Sequence, residues 1–268
     1  MAKNINDAVR EVCLSFPEAE EFLAHGSPNF RVRGKTFAMY TVNHHGDGRV
    51  SLWLNSPPGA QDVHVSGEPK HFFVPPYVGP RGWLGVQIDK GLSWKRIAVL
   101  VREAYEKVAP PALRAAIGRT VEISPPKAKL SAEQMDPMQS ARGQRLLKTM
   151  RKIGLAWPET TEGMQFGAPV WRAGKKSFAL AYFRDKRLKA GFWVGVDRQG
   201  LLRSDERFAI PQYMGHIGWI ELDVHDGCTT RELSDLALDS YRHFANQRML
   251  TALESPGAAK LTRPKRKS

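Results

Sequence analysis

The strongest constraint on how this 268-residue chain can fold is that its two halves align with each other. Shifted by 141 positions, residues 9–40 fall on residues 150–181 without a gap, and eleven of the 32 pairs are identical. These are Arg10/Arg151, Leu14/Leu155, Pro17/Pro158, Glu18/Glu159, Glu21/Glu162, Gly26/Gly167, Pro28/Pro169, Arg31/Arg172, Lys35/Lys176, Phe37/Phe178 and Ala38/Ala179. A shift of 136 then lays residues 72–86 on 208–222, pairing Tyr77 with Tyr213, Gly79 with Gly215, Gly82 with Gly218 and Trp83 with Trp219. The period far exceeds the ~20–50 residues of solenoid repeats, so the chain is a duplicated domain rather than a stacked array.

The expected organisation is a first domain over 1–118, a linker over 119–143, a second domain over 144–254 and a basic tail over 255–268. The Pro-Pro pairs and small polar residues between the copies mark the linker. The tail, ending KLTRPKRKS, is too polar to offset its ordering entropy and is expected to be disordered.

Within each copy, Ile5, Val9, Val12 and Leu14, and likewise Leu146, Met150, Ile153 and Leu155, recur at near-helical spacing before a Phe-Pro or Trp-Pro that ends the helix. Strands are expected over 29–32, 36–42 and 50–54, and over 170–173, 177–183 and 190–196, joined by hairpin turns. A helix or turn follows (57–67, 197–205), then the Tyr-x-Gly-x-x-Gly-Trp segment and a strand (83–88, 219–224). Ser93 and Thr229 are expected N-caps of a final helix. The unit reads α-β-β-β-α-β-β-α, an α+β class with an antiparallel sheet.

These motifs resemble the MmcQ/YjbR-like family. The matching pieces are the Phe/Trp-Pro-Glu at the end of the first helix, the Gly-x-Pro-x-Phe/Trp-Arg-x-x-x-Lys hairpin, a Trp in the third strand, Gly-x-x-Gly-Trp, and a last helix with Tyr. The resemblance covers nearly all of both halves. It implies a small α+β domain of the secretion chaperone-like or CyaY-like kind, and for some members a double-wing DNA-binding fold. It implies a fold more firmly than an activity. One departure stands out: Gly79-Pro80-Arg81-Gly82-Trp83 follows the family pattern, whereas Gly215-His216-Ile217-Gly218-Trp219 lacks the arginine.

The net charge of +13 has to be placed before it means anything. It divides into +3 over 1–118, +1 over 119–143, +4 over 144–259 and +5 over 260–268. Inside a domain the densest cluster is the hairpin holding Arg184, Lys186, Arg187 and Lys189. A hairpin tip lays such cations along a phosphate backbone, and edge strands also carry them to prevent sheet-to-sheet association. Arg31/Lys35, Arg172/Lys176 and Arg81 extend the candidate nucleic-acid surface. The expected function is electrostatic, salt-dependent binding of DNA or other nucleic acid, with two linked surfaces raising effective concentration. The alternative is a non-catalytic module that binds a protein or small ligand on its sheet face or between the copies.

Other chemistries find less support. His44-His45 sits in a Gly-rich turn without metal-ligand spacing, and Cys13 and Cys228 form neither a disulfide framework nor a zinc knuckle. The Glu18, Glu20 and Glu21 cluster is expected to cap or solvate a loop. The glycine-rich segment lacks the strand, loop, helix order of a phosphate loop, and its Trp83 and Trp219 are expected to pack in the core. No catalytic triad, metal or cofactor site is expected. No apolar run reaches the ~18 residues of a membrane span and the opening residues lack a signal-peptide core, so the expected address is cytoplasmic.

Overall fold

The computed structural model describes residues 4–24, 26–225 and 227–254; the tail expected to be disordered lies outside them. The chain divides into two compact units, Met1–Met135 and Asp136–Ser268. The stretch 119–143 is apportioned between them. Ile123 is buried in the first core with Val121, Leu130 and Met135 against it, and Met138 is buried in the second.

In the first unit the Asn4 side chain accepts the Asp7 N–H at 3.0 Å and opens helix α1 (Ile5–Cys13). Strands β1 (Glu20–Ala24), β2 (Ser27–Val32), β3 (Lys35–Val42) and β4 (Val50–Leu54) follow, then α2 (Ala60–Gly67), β5 (Phe72–Phe73), β6 (Leu84–Gln87) and α3 (Trp94–Val108). Short helices α4 (Pro111–Ala115) and α5 (Ala132–Met135) end the unit. The second unit repeats the order as α6 (Ala141–Gly154), β7 (Thr160–Gln165), β8 (Ala168–Ala173), β9 (Lys176–Arg184), β10 (Arg187–Trp193), α7 (Val196–Leu202), β11 (Phe208–Ala209), β12 (Trp219–Asp223) and α8 (Thr230–Phe244), and adds α9 (Gln247–Glu254). Each forms a six-stranded antiparallel sheet, ordered β1-β2-β3-β4-β6-β5 and β7-β8-β9-β10-β12-β11. Both carry a register shift at the same place, Phe30/Arg31 and Trp171/Arg172. The fold is α+β in two similar halves.

The recurrent motifs are explained by packing. Tyr105 of α3 stacks on Phe16 at 4.8 Å and donates its hydroxyl to the Pro17 carbonyl at 2.6 Å. Tyr241 of α8 packs on Trp157 at 5.2 Å and donates to the Pro158 carbonyl at 2.8 Å. The Phe/Trp-Pro pair is thus the socket for the last helix's tyrosine, which satisfies the proline carbonyl in the turn that follows α1 or α6. Ser93 and Thr229 cap as expected, accepting the N–H of Arg96 and of Glu232.

Two differences from the sequence reading have physical causes. Glu18 stands in a turn as expected, but Glu20 and Glu21 do not: they open β1, and β7 follows suit in the second copy, making the unit α-β-β-β-β-α-β-β-α. These are edge strands without clean apolar alternation, and in β1 Glu20 pairs with Arg31 at 2.7 Å and Glu21 with Arg10 at 2.8 Å. Strand β10 begins at Arg187 rather than Ala190, because Asp185 and Lys186 take φ of +53° and +61° and close a two-residue turn.

The cores also exchange volume in compensating pairs. Phe30 packs in the first copy where the second has the larger Trp171, and both are fully buried. At the facing helix position Cys13 is replaced by Gly154, where a Cβ would lie 2.7 Å from the Trp171 indole. The larger ring occupies the space that the missing side chain leaves.

Candidate nucleic-acid interface

Helices α1 and α6 occupy equivalent places, and both bury an apolar face: Ile5, Ala8, Val9, Val12 and Cys13 in one, Leu146, Leu147, Met150 and Ile153 in the other. Both anchor an edge strand by the same ion pair, Arg10–Glu21 and Arg151–Glu162, each at 2.8 Å. Their solvent faces differ in sign. α6 carries Arg142, Arg145, Lys148, Arg151 and Lys152 and no acid, whereas α1 carries Asp7, Arg10 and Glu11. Under the repeat shift Lys148 and Lys152 fall on Asp7 and Glu11. Arg142, Arg145, Thr149 and Lys152 lie at i, i+3, i+7 and i+10, one stripe of the helix, with Lys148 beside them. All four of these cations are exposed, and among the described residues none has a carboxylate partner.

The sequence-selected residues are placed otherwise. In the β9–β10 hairpin, Lys189 Nζ lies 2.5 Å from Glu221 on β12, Arg184 pairs with the same carboxylate, and Arg187 reaches Asp223 at 2.9 Å. Glu221 is buried and also accepts the Tyr182 hydroxyl. Burial alone would raise its pKa, but Lys189, Tyr182 and Arg184 together hold it below the ordinary carboxylate value. The Tyr182 hydroxyl is pushed well up by burial and by that carboxylate. The charge of these three cations is therefore largely committed to the sheet, while Lys186 is exposed at the tip.

Of the others, Arg31 pairs with Glu20 and lies over the Phe22 ring at 4.7 Å. Arg172 donates to the Met164 carbonyl at 3.3 Å. Lys35, Lys176 and Arg81 are exposed at turns. Lys176 and Arg184 stand at opposite ends of nine-residue β9, a separation of about 26 Å at strand rise, so the second copy's basic turns do not form one patch. The stripe that α6 does form has a legible signal, five cations without an acid in fourteen residues, but the domain boundary expected from sequence at 143/144 cuts through it, whereas the structure keeps the whole helix in the second unit.

A family model described as YjbR matches residues 14–107 and again 155–243, more than half of the chain. The chain belongs to the YjbR family. No curated protein matches it significantly. Among solved structures, the Deinococcus radiodurans protein DR2400, described as a DUF419 domain, is similar at 18% identity and a TM-score of 0.36, covering 43% of this chain and 88% of that one.

Both YjbR matches begin after the first helix, so the α6 stripe lies outside the segment that the family model describes. Inside it, the two YjbR domains hold the Tyr-x-Gly-x-x-Gly-Trp loop by the same device. The Gln61 amide donates to the carbonyls of Gly79 and Trp83, and Gln199 to those of Gly215 and Trp219. Gly82 and Gly218 take left-handed φ of +80° and +91°, which turns the chain into the strand. Trp83 and Trp219 are buried, Trp83 in a small cluster with Trp53, Phe73 and Val78 separate from the main core.

Equivalent positions on the sheets carry opposite chemistry. Register aligns Trp53, Gly85 and Phe73 of the first YjbR domain, and Gly191, Glu221 and Ala209 of the second. Phe73 lies on Gly85 with Arg49 4.2 Å above its ring, and His44 packs edge-on to Trp53 at 4.8 Å. Burial, with His45 beside it, lowers the His44 pKa, against the opposing pull of Asp47. Among the described residues no group of three or more His, Cys, Asp or Glu is placed to hold a metal, and no helix is long and apolar enough to cross a membrane.

Proposed function

We propose that this YjbR-family protein binds nucleic acid, DNA or RNA, by contacts to the phosphate backbone, with α6 as the principal surface. The observation that carries this reading is the row of Arg142, Arg145, Lys148 and Lys152, unpaired among the described residues. Over ten residues the helix rises about 15 Å, which spans several phosphates of a strand. A cation already paired with a carboxylate gives up that partner on binding, so the hairpin's Arg184, Arg187 and Lys189 contribute less than their number implies. The exposed turn cations Lys35, Lys176 and Lys186 supply secondary contacts. Binding of this kind is strongly salt-dependent and weakly sequence-specific.

The test is a mobility or anisotropy titration on mixed-sequence oligonucleotides over a salt series, with the full chain and with Leu261–Ser268 deleted. Retention of most low-salt affinity without the tail supports a domain-based surface. No binding at low salt, or binding lost with the tail alone, overturns it.

A second reading, a module that binds a protein, is favoured by one observation. At Val63/Leu201, Val74/Ile210 and Tyr77/Tyr213 both copies expose large apolar side chains at equivalent positions, each at least 41% exposed. Exposed apolar groups kept in both copies fit a contact surface. Charge substitutions at Tyr77 and Tyr213 that leave nucleic-acid affinity intact and abolish a pull-down partner would favour it.

A further inference from the structure

At the N-terminal end of the α6 stripe lies a cleft of about 260 Å³. Arg142, Arg145 and Thr149 of α6 line one side, and Leu188, His225 and Thr230 are among the residues lining the rest. Its chemistry is mixed, with two guanidinium groups and two hydroxyls around an aliphatic surface. The Leu188 N–H donates to His225 Nδ1 at 3.1 Å, so in the neutral ring the hydrogen resides on Nε2 and that nitrogen is a donor. Neither arginine has an ion-pair partner among the described residues, unlike Arg10, which lines a cleft of about 220 Å³ in the first copy and is tied to Glu21.

Size and polarity narrow the occupant. The volume falls below the ~300 Å³ at which pockets for drug-sized ligands begin, which suits one flat ring or sugar rather than a dinucleotide. Two arginines ask for phosphate, and an imidazole with aliphatic neighbours asks for a ring to lie on it. In a duplex the bases are stacked and paired and cannot enter such a cleft, whereas an unpaired nucleotide enters without that cost.

We infer that the cleft seats one unpaired nucleotide of the strand that lies along α6, its phosphate on Arg142 and Arg145 and its base or sugar against Leu188 and His225. The protein therefore prefers single-stranded to double-stranded nucleic acid. This rests on the nucleic-acid reading of the same surface.

The experiment compares a labelled mixed-sequence single strand with its blunt duplex, at one salt concentration, on the full-length chain. The expected preference for the single strand is about tenfold, the scale of one seated base. Thr149→Trp fills the cleft from a helix position that is not in the core, and should bring the ratio of single-strand to duplex affinity, both measured on that variant, down to about one. Thr230→Glu places a carboxylate in the first turn of α8, where it favours the helix and repels a seated phosphate, and should weaken single-strand binding more than duplex binding. Equal affinity of the wild type for the two forms overturns the inference, as does a preference that survives both substitutions. The parent reading is separated by the double variant Lys148→Asp, Lys152→Glu. If it weakens both forms while the wild type shows no preference, only the cleft inference falls; if it weakens neither, both fall.

Discussion

Helices α1 and α6 began as copies, and the way they differ separates what packing demands from what it leaves free. Their buried faces and the Arg10–Glu21 and Arg151–Glu162 pairs are shared, because each holds an edge strand onto the sheet. At exposed positions the repeat shift instead sets Lys148 and Lys152 of α6 in the places of Asp7 and Glu11 of α1. The solvent face of a helix contributes little to stability, so its charge can reverse without a structural penalty. The sheets show the complementary case: Gly85 under Phe73 in one copy, Glu221 among Lys189, Arg184 and Tyr182 in the other. There the change is buried, and whole sets of neighbours have changed with it.

The largest effect should come from removing the α6 charge. Arg142, Arg145, Lys148 and Lys152 replaced together by alanine should lower affinity for nucleic acid at low salt by roughly 1,000-fold or more, read by anisotropy, while thermal unfolding still shows a folded second copy. A loss below tenfold would move the interface elsewhere.

Next in size is Glu221→Ala, which strands Lys189 and Arg184 and should cost about 3 kcal/mol in denaturant unfolding. Acid should expose the same difference between copies. The Glu221 pKa is held below its ordinary value of 4.5, so its contribution is present above that value and is lost as pH falls through the lower, folded-state one. Glu221→Gln should flatten that acid limb, and no such contribution exists at Gly85.

Gly154→Ala should destabilise by about 2 kcal/mol despite alanine's better helix propensity, because the new methyl meets the Trp171 ring. Pairing it with Trp171→Phe, which restores the first copy's ring, should recover most of the loss in the same unfolding assay. The smallest effect is expected at Lys186→Ala, less than about threefold in nucleic-acid affinity and under ~0.5 kcal/mol in stability. A larger loss of affinity would return the interface to the β9–β10 hairpin.

Much of this architecture is legible in sequence because it is written twice. The Pro17/Pro158 sites, the Tyr105/Tyr241 partners and the Ser93/Thr229 caps recur at fixed places, and each recurrence marks a contact. Strands β1 and β7 escape pattern reading because side-chain alternation is weak at an edge and ion pairs with distant arginines help hold β1. The basic hairpin is visible as a charge cluster, but its neutralisation is a property of register. Glu221 becomes the neighbour of Lys189 only when β12 pairs with β10, 32 residues away in sequence. The α6 stripe is visible once the helix is read from Ala141, where Ser140 caps it by accepting the Gly143 N–H.

The central claim is that α6 and not the hairpin meets the phosphates. The most direct measurement is the salt dependence of nucleic-acid affinity for the wild type and for the variant that gives α6 the residues of α1, Lys148→Asp with Lys152→Glu. Each phosphate that the protein no longer neutralises lowers the slope of log affinity against log salt by about 1, so the variant's slope should be shallower by about 2. An unchanged slope, with both proteins folded, would contradict the account.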